Sequence, residues 1–223
     1  MDELPNYEEM LEVAIQETKL FEQMVTAEML NLPMDTVRRQ LSFLFVLTAL
    51  QHYRAVIHLL DDGAHRFSAF ALVRPIADAA MRAVWLAQFA TDAEVVKAKS
   101  DLGANVFPPS KMIARLIEEK FGPDNSALAS MFKEDWSLLS GYVHTGIQQL
   151  NERIIYNPTK PFPHKQALSM LMKSSTYLWL GACYVATGTG NVDVCKRIDE
   201  ANDKLFESVN FSNKSALRCP WDR

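Results

Sequence analysis

Apolar positions recur along most of the chain at the three- and four-residue spacing of amphipathic helices. The β-branched residues are scattered among Ala, Leu, Met, Glu and Lys, and no segment shows the period of two that a half-buried strand has. Short Pro, Gly and Asn clusters separate the apolar stretches, as is typical of helix ends. The pattern predicts helices over about 7–30, 35–62, 64–90, 91–99, 111–121, 164–187 and 192–209, with one or two more within 125–154.

The connections between these helices are short, apart from two Pro-containing loops at about 101–110 and 156–163. Short connections place consecutive helices antiparallel to each other. Only 8 of the 223 residues are Gly, which disfavours turn-rich sandwiches, barrels and propellers. We therefore predict an all-α fold, in which residues 1–208 form a single antiparallel helical bundle of about six to seven helices and residues 209–223 form a C-terminal tail.

The cysteines and the N-terminal sequence indicate the cellular compartment in which the protein is expected. Cys183, Cys195 and Cys219 form no CxxC pair and have no histidine at zinc-ligand spacing, which fits a reducing cytoplasm. The first residues lack the basic and apolar regions of a signal peptide. The apolar stretches near 41–50 and 177–186 are shorter than the roughly 18 residues of a membrane span. We expect a cytoplasmic protein with no membrane span.

The common motifs of catalysis and cofactor binding are missing from the sequence. The Gly188-Thr-Gly190 triplet follows a predicted helix and lacks the rest of a dinucleotide or P-loop fingerprint. HExxH, GxSxG and the carboxylate pairs of di-iron bundles do not occur. The sequence therefore predicts no metal and no cofactor, and its catalytic residues, if it has any, stay unknown.

The net charge of -4 is unevenly distributed. Residues 1–37 carry nine acidic side chains and Lys19 as their only base, giving -8, so the remaining 186 residues carry +4. An acidic first helix thus precedes a mildly basic body. This helix either presents a solvated face, which is the common case, or covers a basic groove. The pI of 5.8 disfavours DNA binding.

A charged stripe runs along the otherwise apolar third helix. Arg74, Asp78 and Arg82 are each four residues apart, and Trp85 lies in the same sector. A helix that is apolar on its other faces is normally buried, and an unpaired buried charge is very costly. The stripe should therefore face a polar cleft, a partner subunit or ion-pair partners, and Asp78 is spaced to bridge both arginines.

Two other predicted helices mix polar groups into apolar faces in the same way. The second helix carries Arg54 and His58, and the segment SLLSGYVHTGIQQL carries Ser140 and His144 on one side. If these faces converge with that of Trp85, they form a pocket for an anionic ligand with a ring, because guanidinium groups match phosphate and carboxylate. A structural ion-pair network is the more common explanation, and a catalytic cluster is the rarest.

The same residues resemble a family of bacterial all-helical proteins of about 200 residues whose members have no assigned activity. Its pattern is R-x3-E-x3-R-x2-W followed by a helix with H-G-G, and the resemblance extends from about Val37 to Thr187. Asp78 replaces the usual Glu, and Thr145 replaces the first Gly. The positions that match as they stand are Arg74, Arg82, Trp85, His144 and Gly146. The resemblance implies the helical fold and no particular chemistry.

The sequence is also loosely similar to HEPN domains, many of which are ribonucleases of toxin and phage-defence systems. Their nuclease motif places four to six residues between Arg and His, whereas Arg54 and His58 have three between them. A nuclease would need Arg82 and His144 to meet through space.

We therefore expect a binding or protein-interaction module, present as a homodimer, with a protein partner or a small anionic ligand. The alternatives are a HEPN-like ribonuclease or defence effector, and a protein that binds a nucleotide or small anion without turnover.

Overall fold

The computed structural model describes residues 5–62, 66–100, 106–122, 136, 139–143 and 163–209. The chain is all-α, and these described residues contain no strand. Their helices are α1 (Tyr7–Leu30), α2 (Val37–Asp62), α3 (Arg66–Gln88), α4 (Asp92–Ser100), α5 (Ser110–Phe121), α6 (His164–Gly188) and α7 (Val192–Ser208). Residues 139–143 are helical as well.

The predicted helices agree with the structure to within two residues at most ends. α3 is a single helix that continues through Pro75. The predicted helices within 125–154 lie largely outside the described residues, as do the 156–163 loop and the tail, apart from Pro163 and Val209. The single domain over 1–208 stays a prediction.

The core is centred on α3, which packs against α2 and α6, and α2 also contacts α6. α6 is buried on nearly every side, as is typical of a central helix. Gly181 lies against α3, where a Cβ atom at position 181 would stand 3.1 Å from the Cβ of Ala80. Small residues on both helices thus allow their backbones to approach closely.

The acidic helix α1 is partly paired and partly solvated. Glu22 binds Arg54 of α2, and the carboxylate of Glu28 accepts two hydrogen bonds from Arg197 of α7, at 2.6 and 2.7 Å. These hydrogen bonds and the charge of Arg197 hold the pKa of Glu28 below its ordinary value. Glu9 and Glu12 are exposed. Part of the acidic segment is thus paired with arginines of α2 and α7 and part is solvated, and the cover over a basic groove stays a prediction.

Within the described part of the chain, α2 is the one helix that is long and apolar enough to cross a membrane by length and composition. The apolar residues of α2 extend beyond positions 41–50, with single polar residues such as Ser42, Thr48 and Gln51 among them. A core helix of a soluble protein can have the same length and composition, and one such helix is weak evidence for a membrane protein. The cytoplasmic location stays a prediction.

Arg38 of α2 caps the C-terminal end of α3. Its Nη1 atom donates hydrogen bonds to the carbonyl oxygens of Leu86 at 2.7 Å and Ala90 at 2.6 Å. Its Nη2 atom donates to the carboxylate of Asp92 in α4 at 2.7 Å. The last carbonyls of a helix have no partner within the helix, and a cation there also interacts favourably with the helix dipole. Arg38 thereby joins α2, α3 and α4.

We expect Arg38→Ala to lower the free energy of unfolding by about 2–3 kcal/mol, because hydrogen bonds to a charged group contribute about 1.5–3 kcal/mol. Arg115→Ala is the matched control, since Arg115 is an exposed arginine on α5 and its removal should change the free energy of unfolding by less than about 0.5 kcal/mol. Urea denaturation followed by circular dichroism measures both values. Equal losses in the two variants would contradict the capping role.

Candidate functional site

The charged stripe of α3 lies at the edge of the core, facing α5 and the helical residues 139–143. Arg74, Asp78 and Arg82 are all partly buried, whereas most of their neighbours on α3 are fully buried. The side chains of Arg74 and Asp78 retain 21 % and 31 % of their exposure. The stripe is therefore neither freely solvated nor sealed inside the protein.

Arg74 is held by several partners at once. Its Nη1 atom donates a hydrogen bond to Oγ of Ser140 at 2.9 Å, and Ser140 in turn donates to the carbonyl oxygen of Trp136 at 2.6 Å. The guanidinium carbon lies 4.6 Å from the centroid of the Trp136 ring, within cation–π distance. Its Nε atom stands 3.7 Å from Oδ2 of Asp78. These contacts fasten α3 to the segment that carries Ser140.

Asp78 connects α3 to the start of α5. Its Oδ1 atom accepts a hydrogen bond of 2.7 Å from the hydroxyl of Ser110, the first residue of α5. Asp78 forms an ion pair with Arg74 and none with Arg82, although the spacing along the helix is the same for both arginines. The bridge between two arginines that the sequence suggests is thus present on one side only.

Arg82 has a different environment from Arg74. Its guanidinium lies over the ring of Phe107, 5.1 Å from the centroid, and 5.9 Å from the centroid of Phe45. Among the described residues, no carboxylate pairs with it and no oxygen accepts a hydrogen bond from it. The aromatic rings hold the planar group in place. Its five N–H donors thus have no protein acceptor within the described part of the chain.

Trp85 is buried in the core and contacts Phe107, the ring on which Arg82 lies. It is 3 % exposed, and its ring meets that of Phe107 edge to face with 5.7 Å between centroids. The indole faces are thus occupied by the core, so Trp85 positions Phe107 under Arg82 and is not available to stack on a ligand ring. Phe45 completes the contact, meeting Phe107 at 5.2 Å.

The two candidate site residues on α2, Arg54 and His58, do not contact the charged stripe of α3. Arg54 donates hydrogen bonds to Glu22 at 2.6 Å and to Thr26 at 3.0 Å, both on α1. His58 is exposed on α2. The structure therefore brings Ser140 to the α3 stripe and leaves Arg54 in a separate network. His144 lies outside the described residues.

Sequence reasoning did not identify several residues that complete the site. Phe107 and Ser110 belong to the Pro-rich segment predicted as a loop, and nothing in that pattern shows which part of α3 it covers. Phe45 lies in the apolar stretch near 41–50, and Trp136 lies in the region 125–154 that is predicted to be helical, but nothing in the sequence places either residue beside α3. The deep burial of α3 was the one usable signal, since it implies that each charge needs a neighbour.

Among the described residues, no three His, Cys, Asp or Glu side chains lie close enough together to hold a metal ion. A groove runs along the outside of α5, and none of the residues predicted from the sequence lines it. Its lining consists of Pro109, Lys111, Met112, Arg115, Leu116 and Glu119.

Residues 46–210 match the sequence model of DUF6988, a family of unknown function. The chain belongs to DUF6988. No curated protein and no solved structure matches it. The prediction of an all-helical family without an assigned activity is confirmed, while the similarity to HEPN domains stays a prediction. The DUF6988 region contains the whole stripe of α3, whereas α1 and Arg38 precede it.

The two arginines of the stripe should differ in their effect on stability. We expect Arg74→Ala to lower the free energy of unfolding by about 2 kcal/mol, because it leaves Asp78 and Ser140 without a charged partner. Arg82→Ala should cost about 0.5–1 kcal/mol, the value of a partly exposed cation–π contact. Urea denaturation measures both, and an Arg82 variant that loses as much as the Arg74 variant would show that Arg82 is structural too.

Proposed function

We propose that this DUF6988 protein is a binding module that holds an anionic group of its ligand at Arg82, without turnover. The single observation that carries the proposal is the environment of the Arg82 guanidinium, which is fixed on Phe107 and Phe45 but has no acceptor among the described residues. Arg74, eight residues earlier on the same helix, is bound by Ser140, Trp136 and Asp78.

This difference matters because of the energetics of a partly buried guanidinium. Each donor that is removed from water without gaining a partner costs free energy. A ligand oxyanion restores those hydrogen bonds, and charge-assisted bidentate bonds to Arg are among the strongest that proteins form. The aromatic contacts also reduce the side-chain entropy that the arginine would otherwise lose on binding.

A thermal-shift experiment tests the proposal. With sodium benzoate or sodium phosphate at tenfold over Kd, and ionic strength matched with sodium chloride, bound anion should stabilise the protein by about 1.4 kcal/mol. This corresponds to a rise in Tm of a few degrees for a chain of this size. The rise should disappear in Arg82→Ala and be reduced in Arg82→Lys, which lacks the planar fork.

Arg115→Ala is the matched control, because Arg115 is an exposed arginine on α5 whose loss changes the net charge equally. It should retain the full rise in Tm. A rise that persists in Arg82→Ala, or no rise in the wild type with either anion, would overturn the proposal.

The ribonuclease alternative stays a prediction without a supporting observation of its own. Arg54, the arginine nearest to a nuclease-like spacing, is bound to Glu22. The pairing of Arg82 with His144 falls outside the described residues.

We also propose that two copies of the chain pair through the outer face of α2. Leu44 is 54 % exposed there, and no charged residue occurs between Gln40 and Gln51. A twofold interface brings each patch against a copy of itself, so an uncharged face avoids like-charge repulsion. Burying Leu44 in such an interface also removes apolar surface from water.

Size-exclusion chromatography with light scattering should give twice the chain mass of 25.2 kDa. Leu44→Glu should shift the protein to the monomer mass, because it places a charge at the interface of each copy. Leu30→Glu on α1 is the control, since Leu30 is exposed to a similar extent, at 64 %. A monomeric wild type would exclude this arrangement.

A further inference from the structure

The solvent-exposed side of α1 carries no charge along most of the helix, and we call this side the outer face of α1. From position 13 to position 30, every exposed residue of α1 lies on this face, at alternating spacings of three and four residues. Leu20, near its middle, is 58 % exposed. Apolar residues at this spacing are typical of a helix face that packs against another segment. The outer face consists of Val13, Gln16, Leu20, Gln23, Ala27 and Leu30.

The first half of α1 also carries carboxylates that have no cation beside them. Glu9 and Glu12 are exposed, and Glu17 is partly exposed. Among the described residues, no Lys, Arg or His lies within ion-pair distance of these three side chains. The arginines that contact α1, Arg54 and Arg197, are bound to other carboxylates of the helix. The outer face is therefore bordered by negative charge that a basic segment can neutralise.

α1 and α6 run in the same direction, because both of their ends lie close together. At the start of the two helices, Nε2 of His164 stands 3.9 Å from Oε1 of Glu8. Shortly after their ends, Arg39 donates a hydrogen bond of 3.4 Å to the carbonyl oxygen of Thr189. α7 follows α6 after the short connection 189–191 and returns antiparallel to it. α7 is therefore antiparallel to α1 as well.

This arrangement places the end of α7 beside the first half of α1. Arg197 of α7 binds Glu28 near the end of α1. Val209 is twelve residues further along the chain, or about 18 Å along the helix axis. Because the two helices are antiparallel, Val209 comes level with the part of α1 between Val13 and Leu20. The chain after Val209 thus starts next to the outer face and its acidic border.

We propose that residues 210–223 dock on the outer face of α1, between Val13 and Gln23. This segment has the charge that the acidic border requires, since it holds three bases and one acid, a net charge of +2. Its bases are Lys214, Arg218 and Arg223. It also has large apolar side chains to cover Val13 and Leu20, namely those of Phe211, Leu217 and Trp221.

The length of the segment suffices for this contact. Its 14 residues reach up to about 45 Å when extended. The outer face from Val13 to Gln23 covers about 15 Å, and packed helix axes lie about 8–10 Å apart. A segment tethered this closely has an effective concentration in the millimolar range, so a weak intrinsic affinity keeps it bound. The contact also removes the exposed surface of Leu20 from water.

Both partners of the contact lie outside the region that matches DUF6988. The match covers residues 46–210, whereas α1 ends at Leu30 and the docking segment follows Val209. The two ends of this chain thus pack on each other, next to the helices that the family model describes. The inference concerns a different surface from the anion site at Arg82 and does not depend on it.

Disulfide trapping in the full chain tests the contact, because Cys219 supplies a thiol within the segment. Cys183 and Cys195 are both buried. In Leu20→Cys, oxidation with diamide should link position 20 to Cys219 within one chain, as shown by a non-reducing gel and by mass spectrometry of the linked peptides. Val96→Cys is the matched control, since Val96 is an aliphatic residue of α4 with 66 % exposure. Its yield should be lower by at least about tenfold, because a disulfide forms only between residues that come close together.

Limited proteolysis gives a second measurement that needs no new thiol. Docking protects the bonds after Lys214 and Arg218 from trypsin, and cleavage follows the fraction of time that the segment is released. Leu20→Gln removes an apolar contact without adding charge, so it should raise the rate of cleavage at these two bonds by at least about fivefold. Val96→Gln should leave the rate unchanged.

The alternative occupants of the outer face give different results. If a second copy covers it, the introduced thiols at position 20 link to each other and give a covalent dimer on the gel, which overturns the proposal. Equal yields in Leu20→Cys and Val96→Cys, or equal cleavage rates in the wild type and Leu20→Gln, also overturn it.

Discussion

The burial of α3 between α2 and α6 is the constraint on which the rest of the structure depends. A helix in that position contributes apolar side chains on most of its faces, and any charge that it carries must be paired, directed to the edge or supplied with a ligand. Arg74 and Asp78 are paired with each other, whereas Arg82 lies at the edge of the core on two aromatic rings. The candidate site is thus a consequence of how the core is built.

The same constraint explains why the C-terminal end and the middle of α3 are held by polar contacts from other elements. A buried helix cannot satisfy its last carbonyls with water alone, and Arg38 supplies two hydrogen bonds there. In the middle of the helix, Ser110 and Ser140 provide short hydroxyl contacts from α5 and from the helical residues 139–143. The two serines fix the position of α3 relative to its neighbours while adding no further charge to the interior.

The sequence predicted the helices well because helix ends depend on local signals. Proline clusters and the spacing of apolar residues place the ends of α1 and α7 to within one residue. The charged stripe was also predictable, since it depends only on the position of Arg74, Asp78 and Arg82 along one helix. The deep burial of α3 then follows from the apolar residues around them.

The partners of the stripe were not predictable, because they depend on how distant segments meet. Arg54 and Arg82 look alike in sequence, since each is an arginine on an apolar helix. The fold places Arg54 opposite Glu22 of the acidic helix and Arg82 opposite Phe107. An arginine paired with a buried carboxylate has its charge compensated within the protein, whereas the charge of one that lies on aromatic rings is not compensated by those rings. The chemistry of each arginine is therefore set by the element packed against it.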